Sequence, residues 1–131
     1  MKLFSLSIVG LFLLLSLNSC KKIEGPGGSS SIVGKIHAEI YDGAGNLLTE
    51  YDIEKEDVFI IYGAESTTFD DDVETSYDGT FKFDFLEEGS YQIFVYEKDP
   101  NIPSGKVVKI LTTEITTKNS IVDLGTIIIR K

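Results

Sequence analysis

Between Ile32 and Ile129 the chain is a succession of short runs rich in Ile, Val, Phe, Tyr and Thr, each closed by Gly, Asn, Asp or Pro. No stretch sustains the 3.6-residue apolar spacing of a helix, so the pattern predicts an all-β domain. Thr80 to Phe85 is the sharpest case: Phe81, Phe83 and Phe85 alternate with Thr80, Lys82 and Asp84. A period of two turns alternate side chains to opposite faces, which places all three rings in one core. Ile32 to Tyr41 alternates likewise, with Ile32, Gly34, Ile36, Ala38 and Ile40 on one face and Val33, Lys35, His37, Glu39 and Tyr41 on the other.

Turn chemistry separates the runs. Asp42-Gly43-Ala44-Gly45-Asn46 is a reversal, because Gly and Asn accept the positive φ of tight turns. Val58 to Tyr62 is continuously apolar, as in a strand covered on both sides. Val73 to Tyr77 predicts a strand that enters a hairpin at Asp78-Gly79 and pairs with the strand starting at Thr80. After Glu87-Glu88-Gly89, Tyr91 to Tyr96 forms a strand with Tyr91, Ile93 and Val95 inward, or Gln92, Phe94 and Tyr96 inward if both faces are covered. A loop at Asp99 to Gly105 precedes the last two strands, Lys106 to Thr113 and Ile121 to Ile129. About 100 residues suffice for one sandwich and are too few for two domains.

The N-terminus carries a different signal. Lys2 precedes an apolar run from Leu3 to Leu17, the layout of a secretory signal peptide. At about 15 residues the run is shorter than the ~20 a spanning helix needs, which argues against an uncleaved membrane anchor. Leu17-Asn18-Ser19-Cys20 resembles the lipobox of bacterial lipoproteins, and that resemblance implies a diacylglyceryl group on Cys20 and cleavage before it. Asn18 departs from the small or β-branched residue usual there. Cys20 is the chain's one cysteine, so an internal disulfide is excluded and lipidation accounts for it. The expected organisation is a signal peptide over residues 1–19, a lipidated Cys20 and flexible Gly/Ser-rich linker over 20–31, and a β-sandwich over 32–131. With Lys21 following the cysteine, sorting rules of Gram-negative lipoproteins favour the outer membrane, with the periplasmic or surface face open.

Removing residues 1–19 takes away one charge, Lys2, and leaves 11 basic against 21 acidic residues, a formal charge of −10. Such a balance argues against nucleic acid or an anionic lipid surface as the domain's partner, so attachment falls to the acyl chains.

Tyr77-Asp78-Gly79-Thr80-Phe81 and Phe85-Leu86-Glu87-Glu88-Gly89-Ser90-Tyr91 resemble the paired hairpin motifs of carboxypeptidase-regulatory-like and CnaB-type domains. The resemblance implies a prealbumin-like sandwich of about seven strands with the motif tyrosine, here Tyr91, in the core. With the lipobox and the Gly-Pro-Gly-Gly-Ser segment, the whole resembles small lipoproteins of the Bacteroidota. Some CnaB-type domains carry an internal Lys–Asn or Lys–Asp isopeptide bond. Lys35 and Asp123 are the residues to consider, but Lys35 falls on the solvent face of its strand and the usual Asn near the end of the final strand is missing.

Catalytic chemistry has little to draw on. His37 is the single histidine and has no second imidazole, thiol or carboxylate at ligand spacing, so it reads as a solvated strand residue. A nucleophile elbow is absent, and a triad would need His37. Asp70, Asp71 and Asp72 form the one constellation of interest, a candidate for weak Ca²⁺ binding. It fails the EF-hand template, because Thr75 stands where Gly is required and Phe81 where Glu is required. The expectation is therefore a non-catalytic envelope module, needing no cofactor, that contacts protein or glycan. The alternative is a glycan-acting hydrolase using loop carboxylates, which would require a deep cleft.

Overall fold

The computed structural model describes residues 23–64 and 66–131. The segment expected as a signal peptide and Cys20 lie outside the described residues. Eight strands follow in order: β1 (Pro26–Tyr41), β2 (Leu47–Asp52), β3 (Asp57–Tyr62), β4 (Asp71–Glu74), β5 (Thr80–Leu86), β6 (Gly89–Lys98), β7 (Lys106–Ile115) and β8 (Ile121–Arg130). The expected all-β sandwich is what forms, with eight strands instead of about seven.

One sheet is built on β1. Along one edge β1 pairs in parallel with β8, from Ser31 opposite Ile121 to Glu39 opposite Arg130. Along its other edge lie two antiparallel strands end to end, β5 against Ile32–Lys35 and β2 against His37–Tyr41. They meet at Ile36, whose N–H donates to Gly79 O at 2.8 Å and whose carbonyl accepts Ile53 N–H at 3.3 Å. The second sheet runs β4-β3-β6-β7, all antiparallel. Between the sheets Ile32, Ile36, Ile60, Phe83, Tyr91, Ile93, Val95 and Ile129 are buried in one continuous core. All eight strands and this core follow residue 22, so a chain starting at Ile23 contains every strand and core residue described.

Three local expectations are corrected. The first concerns the Gly/Ser stretch, expected as a tether to Ser31: β1 already begins at Pro26. Hydrogen bonds do what apolar burial could not. Tyr91 Oη accepts Gly25 N–H at 2.9 Å and donates to Glu87 O at 2.7 Å. Buried Ser30 donates to Thr117 O at 3.1 Å, and Ser31 donates to Asp84 Oδ1 at 2.7 Å. Gly28 lets β1 lie against β5, since a Cβ there would stand 2.0 Å from Leu86 O.

The second concerns Phe85, which is 72% exposed while Phe81 and Phe83 are buried. Phe85 has φ +57° and adds a residue to β5, so the inward position passes from Phe83 to Leu86. That is a β-bulge, which reverses the alternation beyond it. A matching bulge in β8 near Gly125 shifts the inward positions from Leu124 to Ile127.

The third concerns the segment before Asp78-Gly79. The strand there, β4, pairs with β3, whereas β5 pairs with β1, so the turn carries the chain from one sheet to the other. Thr75 enforces the break: its buried Oγ1 donates to Ile53 O at 2.6 Å and accepts Glu56 N–H at 2.9 Å. Tied to the β2–β3 loop, it cannot continue toward β5.

Candidate binding face

The outer face of the second sheet should be polar if only its inner face were packed. It is aromatic instead. Phe59 from β3, Phe94 from β6 and Ile110 from β7 stand in one cross-strand row, and Tyr96 and Val108 form the next pair. Phe69, in the segment leading into β4, folds over the row. Phe59 is the hub: its centroid lies 4.8 Å from Phe69, 4.8 Å from a stacked Phe94 and 5.7 Å from an edge-on Tyr96. Phe94 is nearly covered, but Phe69, Tyr96, Val108 and Ile110 are 40–53% exposed. A contiguous apolar surface of this kind, open to solvent, marks an interaction site.

Acidic groups border it. Asp72 pairs with Phe59 across β3 and β4 and so shares its face. Asp70 accepts the Tyr62 N–H at 2.7 Å, and Asp71 accepts Asp72 N–H at 2.9 Å. The three carboxylates expected as a Ca²⁺ site thus lie at a strand start, and those of Asp70 and Asp71 accept backbone hydrogen bonds. Among the described residues no group of three or more His, Cys, Asp or Glu is arranged to hold a metal ion.

His37 stands on the outer face of the other sheet, as its strand parity requires, but it is paired and not simply solvated. Nδ1 lies 2.9 Å from Asp52 Oδ1 and Nε2 lies 3.4 Å from Glu50 Oε2. Lys35, on the same face, places Nζ 2.6 Å from Asp52 Oδ2. Asp123 Oδ1, the acid considered for an isopeptide bond, accepts Gly125 N–H at 2.8 Å. The hydrogen bond to Asp52, followed by that to Glu50, raises the His37 pKa above its ordinary 6.5. Hydrogen bonds from Lys35 and then His37 lower that of Asp52 below 3.8. A raised histidine value means that its contribution is complete below pH 6.5 and vanishes as pH rises through the folded value. A lowered carboxylate value means that its contribution is present above 3.8 and is lost as pH falls through the folded value. His37→Gln is therefore expected to cost more stability at about pH 5 than at about pH 8 in urea unfolding. Equal losses at both pH values would refute the pairing.

The sequence offered a partial signal for the aromatic face. The pattern of Tyr91 to Tyr96 turns Phe94 and Tyr96 inward only if the sheet is covered on both sides, and Phe59 lies within the continuously apolar run. Phe69 sits in a polar, acidic stretch with no periodicity. Its partnership with Phe59 is a tertiary fact.

Among solved structures, the chain is similar to a proposed carbohydrate-binding protein of Pseudomonas aeruginosa, at 13% identity over 82% of this chain and 91% of that one, with a TM-score of 0.45. No family model and no curated protein matches the chain.

Proposed function

We propose that this protein is a non-catalytic, lipid-anchored module of the bacterial envelope that binds a glycan on the outer face of its second sheet. The observation that carries the reading is the aromatic cluster of Phe69, Phe59, Phe94 and Tyr96, open to solvent at Phe69 and Tyr96. A pyranose ring has apolar C–H faces and a belt of hydroxyls. A row of rings takes the C–H faces, and a hydroxyl-bearing tyrosine with bordering acceptors such as Asp72 takes the hydroxyls. A protein partner would more often meet such a patch with an apolar core of its own, and a sugar needs only this mixture of flat rings and polar rim.

The anchor fits the same arrangement. Gly25 is held beside Glu87 at the end of the sandwich where β6 begins. Four residues lie between it and Cys20, five steps along the chain with a reach of at most about 18 Å. The strands then lead away from the membrane, with the aromatic face along their side. Tyr91, the motif tyrosine of the carboxypeptidase-regulatory-like resemblance, is the residue that fixes this exit point.

Affinity electrophoresis of the chain from Ile23 through gels carrying neutral polysaccharides (laminarin, xylan, galactomannan) tests the reading. Retardation is expected on at least one, with Phe69→Ala and Tyr96→Ala each weakening it by about tenfold. No retardation, or retardation indifferent to both changes, would overturn it. If sedimentation shows a dimer that these substitutions dissolve, the face is an interface between copies and the glycan reading fails.

A further inference from the structure

The aromatic row ends at Tyr96, and Tyr96 also forms one wall of a cleft of about 580 Å³ at the end of the sandwich remote from Gly25. Four of the nine basic residues in the described chain line it: Lys55, Lys98, Lys106 and Lys131. In a chain of net charge −9 this concentration is unusual.

Three acids line it too: Glu56 is paired with Lys131 inside the cleft, and Glu97 is engaged outside it. Lys131 Nζ holds Glu56 Oε1 at 2.7 Å. Glu97 Oε2 lies 3.9 Å from Lys109 Nζ and accepts Arg130 N–H at 3.4 Å. Asp57 is the remaining carboxylate on the lining. Lys55, Lys98 and Lys106 form no ion pair among the described residues, whereas Lys35, Lys82, Lys109 and Lys131 each do.

The register adds an independent sign. Lys98 and Lys106 are directly opposed across β6 and β7. Like charges in that position repel and weaken the hairpin. An anion between them would reverse the sign of that interaction. Lys55 is fixed nearby at φ +55°, with its N–H donated to Thr75 O at 2.9 Å, so its loop does not need to be ordered on binding.

We propose that this cleft is a subsite for an anionic substituent (carboxylate, sulfate or phosphate) on the glycan whose neutral rings lie on the aromatic row. The inference rests on the glycan-binding reading and narrows the ligand to an acidic polysaccharide. Tyr96 joins the two parts, its ring packed on Phe59 and Phe94 on one side and bordering the lysines on the other. A lipid headgroup has the same chemistry as the substituent. The cleft, however, lies a full ten-residue strand from the Gly25 end, about 30 Å along β6.

Three arms on the chain from Ile23 decide the matter. Inorganic sulfate, titrated against chloride at constant ionic strength, should shift the backbone amide resonances of Lys98, Gly105 and Lys106, and the Lys98→Gln/Lys106→Gln double variant should lose those shifts. Polygalacturonate should be bound about tenfold more tightly than its neutral methyl ester. That preference should disappear in the double variant and at about 0.5 M salt, while binding to the neutral polymers that test the aromatic row is unchanged. Vesicles containing phosphatidylglycerol should not compete. No shift at these amides, or equal shifts at Lys82 and Lys118, overturns the subsite and leaves the aromatic-row reading standing. Sulfate shifts without retention on any neutral polymer leave the subsite and overturn the row. Vesicle binding that depends on Lys98 and Lys106 assigns the cleft to a lipid headgroup and overturns the glycan substituent.

Discussion

Phe83→Ala is expected to destabilise the domain by about 3–5 kcal/mol, whereas Phe85→Ala, two residues along the same strand, should change stability by less than about 1 kcal/mol. Phe83 is 3% exposed and packs between the sheets, edge-on to Phe81 at 6.1 Å. Truncating it removes transfer energy and leaves a cavity that a close-packed sandwich cannot fully collapse. Phe85 is 72% exposed and has φ +57°. Alanine keeps the cost of that backbone conformation and loses almost no burial. Equilibrium urea unfolding of both variants, compared with wild type at matched slope, reads the contrast. Similar losses at the two sites would mean that β5 keeps a strict two-residue period and that the bulge is absent.

The same strand shows how far periodicity can be pushed. Strict alternation correctly placed Phe81 and Phe83, and on β1 it placed Ile32, Ile36 and Ala38, because a half-buried strand must turn every second side chain inward. It failed at Phe85 because a bulge is one residue long and a phenylalanine at positive φ carries none of the usual glycine or asparagine signal. β2 was not anticipated at all. Leu47 to Asp52 is exposed throughout and is held by its ladder to β1, so there was no apolar face for a pattern to report. The Gly/Ser segment misled for a related reason, since its order comes from Tyr91, Thr117 and Asp84, which lie 53 to 87 positions away from their partners along the chain.

The aromatic face divides in the same way. Its strand aromatics belonged to recognisable runs, but their outward aim was settled by which face met the other sheet. The lysine cleft draws on the β2–β3 loop, the β6–β7 hairpin and the final residue. No local window of sequence holds more than two of its four cations. By contrast Asp70-Asp71-Asp72 is conspicuous in the sequence, whereas in the fold the Asp70 and Asp71 carboxylates accept backbone N–H groups and Asp72 shares the face of Phe59. Contiguity along the chain favoured the acidic run, and convergence in space favours the lysines.

Gly79 should be the least replaceable turn residue in the domain. It has φ +80°, and a Cβ built on it would stand 2.5 Å from the carbonyl oxygen of Ile36. That oxygen cannot move aside, because Ile36 accepts Ile53 N–H while its own N–H donates to Gly79 O. These two hydrogen bonds fasten the start of β5 and the residue following β2 to the middle of β1. Asp52, 3.2 Å from the same Cβ position, is in turn the partner of Lys35 and His37. Gly79→Ala therefore carries the cost of a left-handed alanine, about 1 kcal/mol, together with disruption of two backbone bonds at about 1 kcal/mol each, a total of about 3 kcal/mol. Gly45 supplies the control. Its φ is +87°, and a Cβ there meets nothing within 4 Å, so Gly45→Ala should cost only the left-handed part. Urea unfolding of the two variants side by side separates conformational cost from steric cost. If both lose about 1 kcal/mol, Ile36 can yield and the junction of β5 and β2 on β1 is softer than its hydrogen bonds imply; a loss at Gly79 about three times that at Gly45 places the junction among the contacts that hold the first sheet together.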